Sequence, residues 1–157
     1  MKITYSPAKL GHITDGIAIH KGKYVIGWMN RFFQTLPDLN DEQEVSLEVV
    51  SEVTKQTYTI QQKTDLQKKW TVFQKDMPIG SVEMQAGKKH KLLVHLSDHS
   101  PLLIESTWKK TGLINKKGTT IIKGLWFHKI HIDINHEMDA ALLAGFVHIF
   151  WSTQPQN

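Results

Sequence analysis

The chain has 157 residues, of which 40% are hydrophobic and 22% charged; that size and balance fit one domain spanning 1–157 around a single core and exclude wholesale disorder. Cysteine is absent, which excludes disulfides, thiolate metal sites, cysteine nucleophiles and palmitoylation, and fits a cytoplasmic protein. The net charge of +4 is unevenly laid out: residues 32–54 hold six acids (Asp38, Asp41, Glu42, Glu44, Glu48, Glu52) and no Lys or Arg, whereas residues 86–132 hold Lys88, Lys89, Lys91, Lys109, Lys110, Lys116, Lys117, Lys123 and Lys129 against Asp98 and Glu105.

The start, MKITYSPAKLGH, carries no apolar run of the kind a secretory signal needs and reads as a short N-terminal segment. Gly16 to His20 and Lys23 to Met29 then read as two strands around a Lys21-Gly22 turn. Residues 30–43 lose the strand period and are expected to form a loop. Trp28, Phe32 and Phe33, near its start, are expected in the core because large apolar side chains are usually buried. From Val45 onward a period of two is persistent, as Val45, Leu47 and Val49 and then Tyr58 and Ile60 alternate with polar neighbours. The same alternation predicts strands over Trp70 to Gln74 and Ile79 to Met84, split by a Lys75-Asp76-Met77-Pro78 loop. It continues through Leu92, Val94 and Leu96 to Leu102, Ile104 and Trp108, with the turn Ser97 to Pro101 between. Leu113 to Asn115, Thr119 to Lys123 and a long strand from Leu125 to Ile134 complete the series, the last with Ile130, Ile132 and Ile134 on one face and Lys129, His131 and Asp133 on the other.

A helix follows, expected over about 136–152. Ala140 to Trp151 is twelve residues with one polar side chain, His148, so no face is left for water and the helix must be surrounded. Asn135 is the expected N-cap, with Glu137 and Asp139 in the first turn, where the helix dipole favours carboxylates. Ala141, Ala144 and Gly145 give the helix a narrow side; Leu142, Leu143, Phe146, Val147, Ile149 and Phe150 make it a structural plug. A helix about 10–12 Å across needs a wider cylinder than eight strands provide, on the order of eleven or twelve. The strand count meets that demand. The expected fold is therefore mainly β: a closed antiparallel barrel of about twelve strands around a buried C-terminal hydrophobic α-helix.

With a run of hairpins leading to Ile132-Asp133-Ile134-Asn135 and then Asp139-Ala140-Ala141-Leu142-Leu143-Ala144, the chain resembles the tubby C-terminal-like superfamily, which includes LURP-one-related proteins, small bacterial tubby-like proteins and, more distantly, the phospholipid scramblases. The resemblance covers nearly the whole chain. It implies a twelve-stranded barrel threaded by the last helix. Tubby domains bind phosphoinositides through basic residues, but no such positions can be matched here residue by residue.

The spacing of Asp133, Asn135, Glu137 and Asp139 suggests a calcium site, similar to a proposed segment before the final helix of scramblases. An EF-hand loop counted from Asp133 would need Gly at 138 and Glu at 144, and the chain has Met138 and Ala144 there. His131 and Asp133 share a strand face but lack further evident ligands. Ser97-Asp98-His99 has the residue types of a triad, yet adjacent turn residues do not converge in that geometry. No phosphate loop and no constellation of nucleophile, base and orienter is present, so a non-enzymatic protein without cofactor is expected. Two functions remain. The first is a module that binds anionic membrane lipid headgroups at the membrane periphery through Lys88, Lys89, Lys91, Lys109, Lys110, Lys116 and Lys117. The second is a protein-interaction or regulatory module, for example one neutralising a partner protein, that uses the acidic stretch or a barrel face. Nucleic acid is a lesser option, because few aromatics interleave the lysines beyond Trp108, Trp126 and Phe127.

Overall fold

The computed structural model describes residues 1–7, 16–32, 46–63, 68–85, 87, 89–124 and 128–153, with backbone alone at 31 and 32. Twelve strands are present among them: β1 (Lys2–Tyr5), β2 (Ile17–Lys21), β3 (Tyr24–Phe32), β4 (Ser46–Ser51), β5 (Thr57–Gln62), β6 (Lys69–Gln74), β7 (Met77–Gln85), β8 (Lys91–Leu96), β9 (Leu102–Ser106), β10 (Thr111–Ile114), β11 (Gly118–Lys123) and β12 (Lys129–Asp133). Each pairs antiparallel with its sequence neighbours. The first strand also pairs with the last, in the register Lys2↔Asp133 to Tyr5↔Ile130, which closes the barrel. Closure removes the open edges that would otherwise offer unpaired N–H and C=O groups to another chain.

The alternation seen in the sequence sets which side chains fill the barrel. Leu47 and Val49, Tyr58 and Ile60, Trp70 and Val72, Leu92 and Val94, and Ile130 and Ile132 all point inward and are buried. Among them lies α1 (Ala140–Ser152), whose residues from Ala141 to Phe150 are buried on every side. Its narrow side sets how closely it approaches the wall. A Cβ added to Gly145 would lie 2.8 Å from Val49 Cγ2, and one added to Gly27 on β3 would lie 2.8 Å from the Ala141 methyl. The helix therefore runs against β3, β4 and β5, and its bulky residues fill the rest of the cylinder. At the other end of α1, Phe150 reaches β10, where Gly112 leaves it room.

These contacts fix the direction of the helix. It starts at the end of the barrel that carries the β2–β3, β4–β5, β6–β7, β8–β9 and β10–β11 turns, here the proximal end, and finishes at the distal end, among the β5–β6, β7–β8, β9–β10 and β11–β12 connections.

Several expectations need correction. The N-terminal segment is not a mere lead-in but the strand that closes the barrel. The β6–β7 turn is only Lys75-Asp76, since Met77 and Pro78 already pair with Gln74 and Phe73. Trp28 is not in the core: it sits on the outer face of β3, 40% exposed, because β3 turns Gly27 and Met29 inward. Trp108 lies past the end of β9 in the β9–β10 turn and is 78% exposed. The helix begins at 140 rather than near 136, and its N-cap is Asp139 rather than Asn135. Glu137 and Asp139 thus precede the first turn, which holds no acid. Most of the loop expected over 30–43, with Phe33 and Asp38, Asp41 and Glu42, lies outside the described residues, as do Glu44, Lys88, Leu125, Trp126 and Phe127. Asn30, at its start, belongs to β3.

Candidate functional site

The proximal end is a hydrogen-bonded lock. The Asp139 carboxylate accepts from Ser51 Oγ at 2.9 Å, Thr54 Oγ1 at 2.6 Å, Tyr58 OH at 3.0 Å and the Ala141 backbone N–H at 3.1 Å. One side chain thereby caps the helix and ties it to both strands of the β4–β5 hairpin. Burial, then the Asp139 charge and the hydrogen bond to it, push the Tyr58 phenol up to about 12. Beside this lock opens a cleft of about 100 Å³, lined by Ile79, Leu96, Met138 and Leu142 together with Ser97 and Asp98. The Ser97 hydroxyl donates to the Ile79 carbonyl at 2.8 Å, so it is spent on the β7 backbone.

The four oxygen-bearing residues of the expected calcium site are not brought together. Asp133 is on the outer face of β12, Asn135 and Glu137 are exposed in the link to the helix, and Asp139 serves the lock. Among the described residues no three His, Asp or Glu side chains gather in a way that could hold a metal ion. His131 also faces outward; burial, then the nearby Lys123 and Lys129 charges, hold its imidazole below the usual histidine value.

The distal end is organised differently. Lys63 and Lys69 flank the β5–β6 connection, which also holds Lys68; Lys89 and Lys91 mark the β7–β8 turn; Lys109 and Lys110 form the β9–β10 turn; and Lys123 and Lys129 flank the β11–β12 connection. Along this arc the described carboxylates are Glu83 and Glu105, opposite Lys69 and Lys91 in register. Neither lies within ion-pair distance: among the described residues the one such pair is Lys55 with Glu52, at the proximal end. Trp108 projects from the middle of the arc. Below it the helix ends in a second, smaller lock, where the Thr153 hydroxyl donates to the Ile149 carbonyl at 2.7 Å and lies 3.2 Å from His90 Nε2. Burial lowers the His90 pKa, a hydrogen bond with the Phe150 backbone opposes this, and the Lys68 charge adds to it. Deeper in the barrel, the Tyr5 hydroxyl is fully buried with no hydrogen-bond partner among the described residues, and its ring meets the His148 ring edge-on, with centroids 5.6 Å apart. Burial raises its pKa well above the usual phenol value.

The lysines singled out from the sequence therefore divide. Lys89, Lys91, Lys109 and Lys110 share the distal rim, whereas Lys116 and Lys117 occupy the β10–β11 turn at the proximal end. The sequence reading missed Lys63, Lys68 and Lys69 as members of the rim, and placed Trp108 on a strand. The Lys68-Lys69 pair and nearby Lys63 were the available signal for the first; for the second it was the Lys109-Lys110 pair, which marks a turn directly after the tryptophan. In comparisons with known proteins, no family model matches this chain, no curated protein does, and no solved structure does.

Proposed function

We propose that this protein is a non-enzymatic module of the tubby-like kind that binds anionic membrane headgroups with its distal rim. One observation carries the reading: nine lysines on four consecutive connections, Lys63, Lys68, Lys69, Lys89, Lys91, Lys109, Lys110, Lys123 and Lys129, unpaired with any described carboxylate, with the exposed indole of Trp108 among them. Each lysine near an anionic surface contributes about 1 kcal/mol, and an indole is well suited to the boundary between headgroups and acyl chains. A flexible array of ammonium groups on turns follows a fluid surface of phosphates without a preformed pocket. The helix C-terminus beneath the rim is capped by Thr153 and His90, so its partial negative charge is partly answered within the protein. The closed twelve-strand barrel around a C-terminal helix supports assignment to the tubby C-terminal-like superfamily. No helix among the described residues is long and apolar enough to cross a membrane, and a peripheral mode needs none.

Co-sedimentation with vesicles tests this reading. Binding is expected to vesicles rich in phosphatidylserine or phosphoinositide at low salt, to weaken as salt rises, and to be far weaker on phosphatidylcholine alone. Failure to sediment with anionic vesicles at low salt would sink the reading.

A further inference from the structure

We propose that two copies of this chain associate end to end through their proximal ends, as a two-fold symmetric dimer. The inference is independent of the membrane reading, which concerns the opposite end. Among the described residues six large hydrophobic side chains are exposed, and four of them lie at three adjacent hairpin ends: Tyr24 and Val25 open β3, Val53 is in the β4–β5 turn and Met77 opens β7. These ends are held to one another. The Glu52 N–H donates to the Ile26 carbonyl and the Lys75 N–H to the Thr57 carbonyl, so the hairpin ends that carry the four side chains are fixed relative to one another. A cluster of this kind marks an interaction surface more often than isolated apolar residues do.

The occupant follows from the order of the connections. Around the proximal end run the β2–β3 hairpin end (Lys21, Lys23, Tyr24), the β4–β5 turn (Glu52, Val53, Lys55), the β6–β7 hairpin end (Lys75, Asp76, Met77), the β8–β9 turn (Asp98), the β10–β11 turn (Lys116, Lys117) and the link from β12 to α1 (Asp133, Glu137), with Lys2 opposite Asp133 in register. Consider a two-fold axis in the plane of this end, passing between the β4–β5 and β6–β7 turns. It reverses the cyclic order in the second copy, so that the two apolar turns meet and the basic β2–β3 hairpin end meets the acidic β8–β9 turn. Val53 meets Met77, with Glu52 and Lys55 opposite Lys75 and Asp76. Lys21 and Lys23 meet Asp98, and Tyr24 faces the cleft floored by Leu96, Met138 and Leu142. Lys116 and Lys117 meet Asp133 and Glu137. An isologous interface requires this reciprocity, in which each patch finds its partner on the same surface of the other copy. An anionic bilayer fits the same end less well, because Asp76, Asp98, Asp133 and Glu137 would face headgroups of their own sign.

Sedimentation equilibrium of the full chain tests the proposal. The expected species at high concentration has twice the 18.0 kDa chain mass. Met77→Asp should raise the dimer Kd about 10- to 100-fold by placing charge in the apolar centre. Lys23→Glu should also raise it, by setting like charges opposite each other, and the double variant Lys23→Glu/Asp98→Lys should return it to within about threefold of the parent. These side chains lie on exposed turns outside the core, and restoration by the exchange distinguishes an interface from a folding defect. A species of 18.0 kDa at every concentration up to about 1 mM, or a dimer that neither Met77→Asp nor the charge exchange alters, overturns the proposal. So does loss of anionic-vesicle binding in Met77→Asp with no change in mass, which would assign the cluster to a bilayer.

Discussion

The two ends of the barrel are built on opposite principles. At the proximal end polar groups are satisfied internally: one carboxylate, Asp139, takes four hydrogen bonds, and turns carrying both signs of charge surround it. At the distal end the helix is closed by a hydroxyl and an imidazole, while nine lysines stand without an ion pair to any described carboxylate. Charges that stay unpaired contribute little to stability and repel one another, whereas a carboxylate with four donors is costly to remove. The proximal lock is accounted for by stability alone, whereas the unpaired lysines of the distal rim are not.

The sharpest way to break this contrast is at the locks. Asp139→Ala removes the cap and leaves Ser51 and Tyr58 without their acceptor, and should cost roughly 3 kcal/mol of stability, read by chemical denaturation. Thr153→Ala, at the weaker distal lock, should cost only about 1 kcal/mol. Equal losses would erase the distinction.

Two pH limbs report the same asymmetry more gently. Tyr58 titrates at about 12 in the fold against 10.0 for the free side chain, so the folded state holds its proton longer than the unfolded one. The stability it contributes is complete below pH 10.0 and declines as pH rises toward 12; Tyr58→Phe should remove that decline, as followed by melting temperature across the alkaline range. The folded-state pKa of His90 lies below the ordinary 6.5, so its contribution is present above pH 6.5 and is lost as pH falls through the lowered value. His90→Gln should flatten this acid limb.

What could be read from the sequence depended on the range of the interactions involved. A run of twelve residues without a polar face demands enclosure, so the plug formed by Leu142, Phe146 and Phe150 was legible, as was the narrow side at Ala141 and Gly145. β1 was not: four residues, Lys2 to Tyr5, are too few for a period, and their role is set by pairing with β12 at the far end of the chain. The N-cap was misplaced for a related reason. Asn135, Glu137 and Asp139 all have capping chemistry, and the choice among them is made by Ser51, Thr54 and Tyr58, more than eighty positions away. The lysines illustrate the same point at short range. Lys110 and Lys116 are close in sequence, yet β10 lies between them and carries them to opposite ends of the barrel.

That separation provides the most direct test of the central claim, because two charge reversals close together in sequence should differ in effect. Lys109→Glu/Lys110→Glu and Lys116→Glu/Lys117→Glu change the net charge by the same amount, the first at the distal rim and the second at the proximal end. Co-sedimentation with anionic vesicles at low salt is expected to show a roughly 10- to 100-fold loss of affinity for the first variant and near-parental binding for the second. Equal losses in the two variants, or a loss confined to Lys116→Glu/Lys117→Glu, would contradict the assignment of membrane binding to the distal rim.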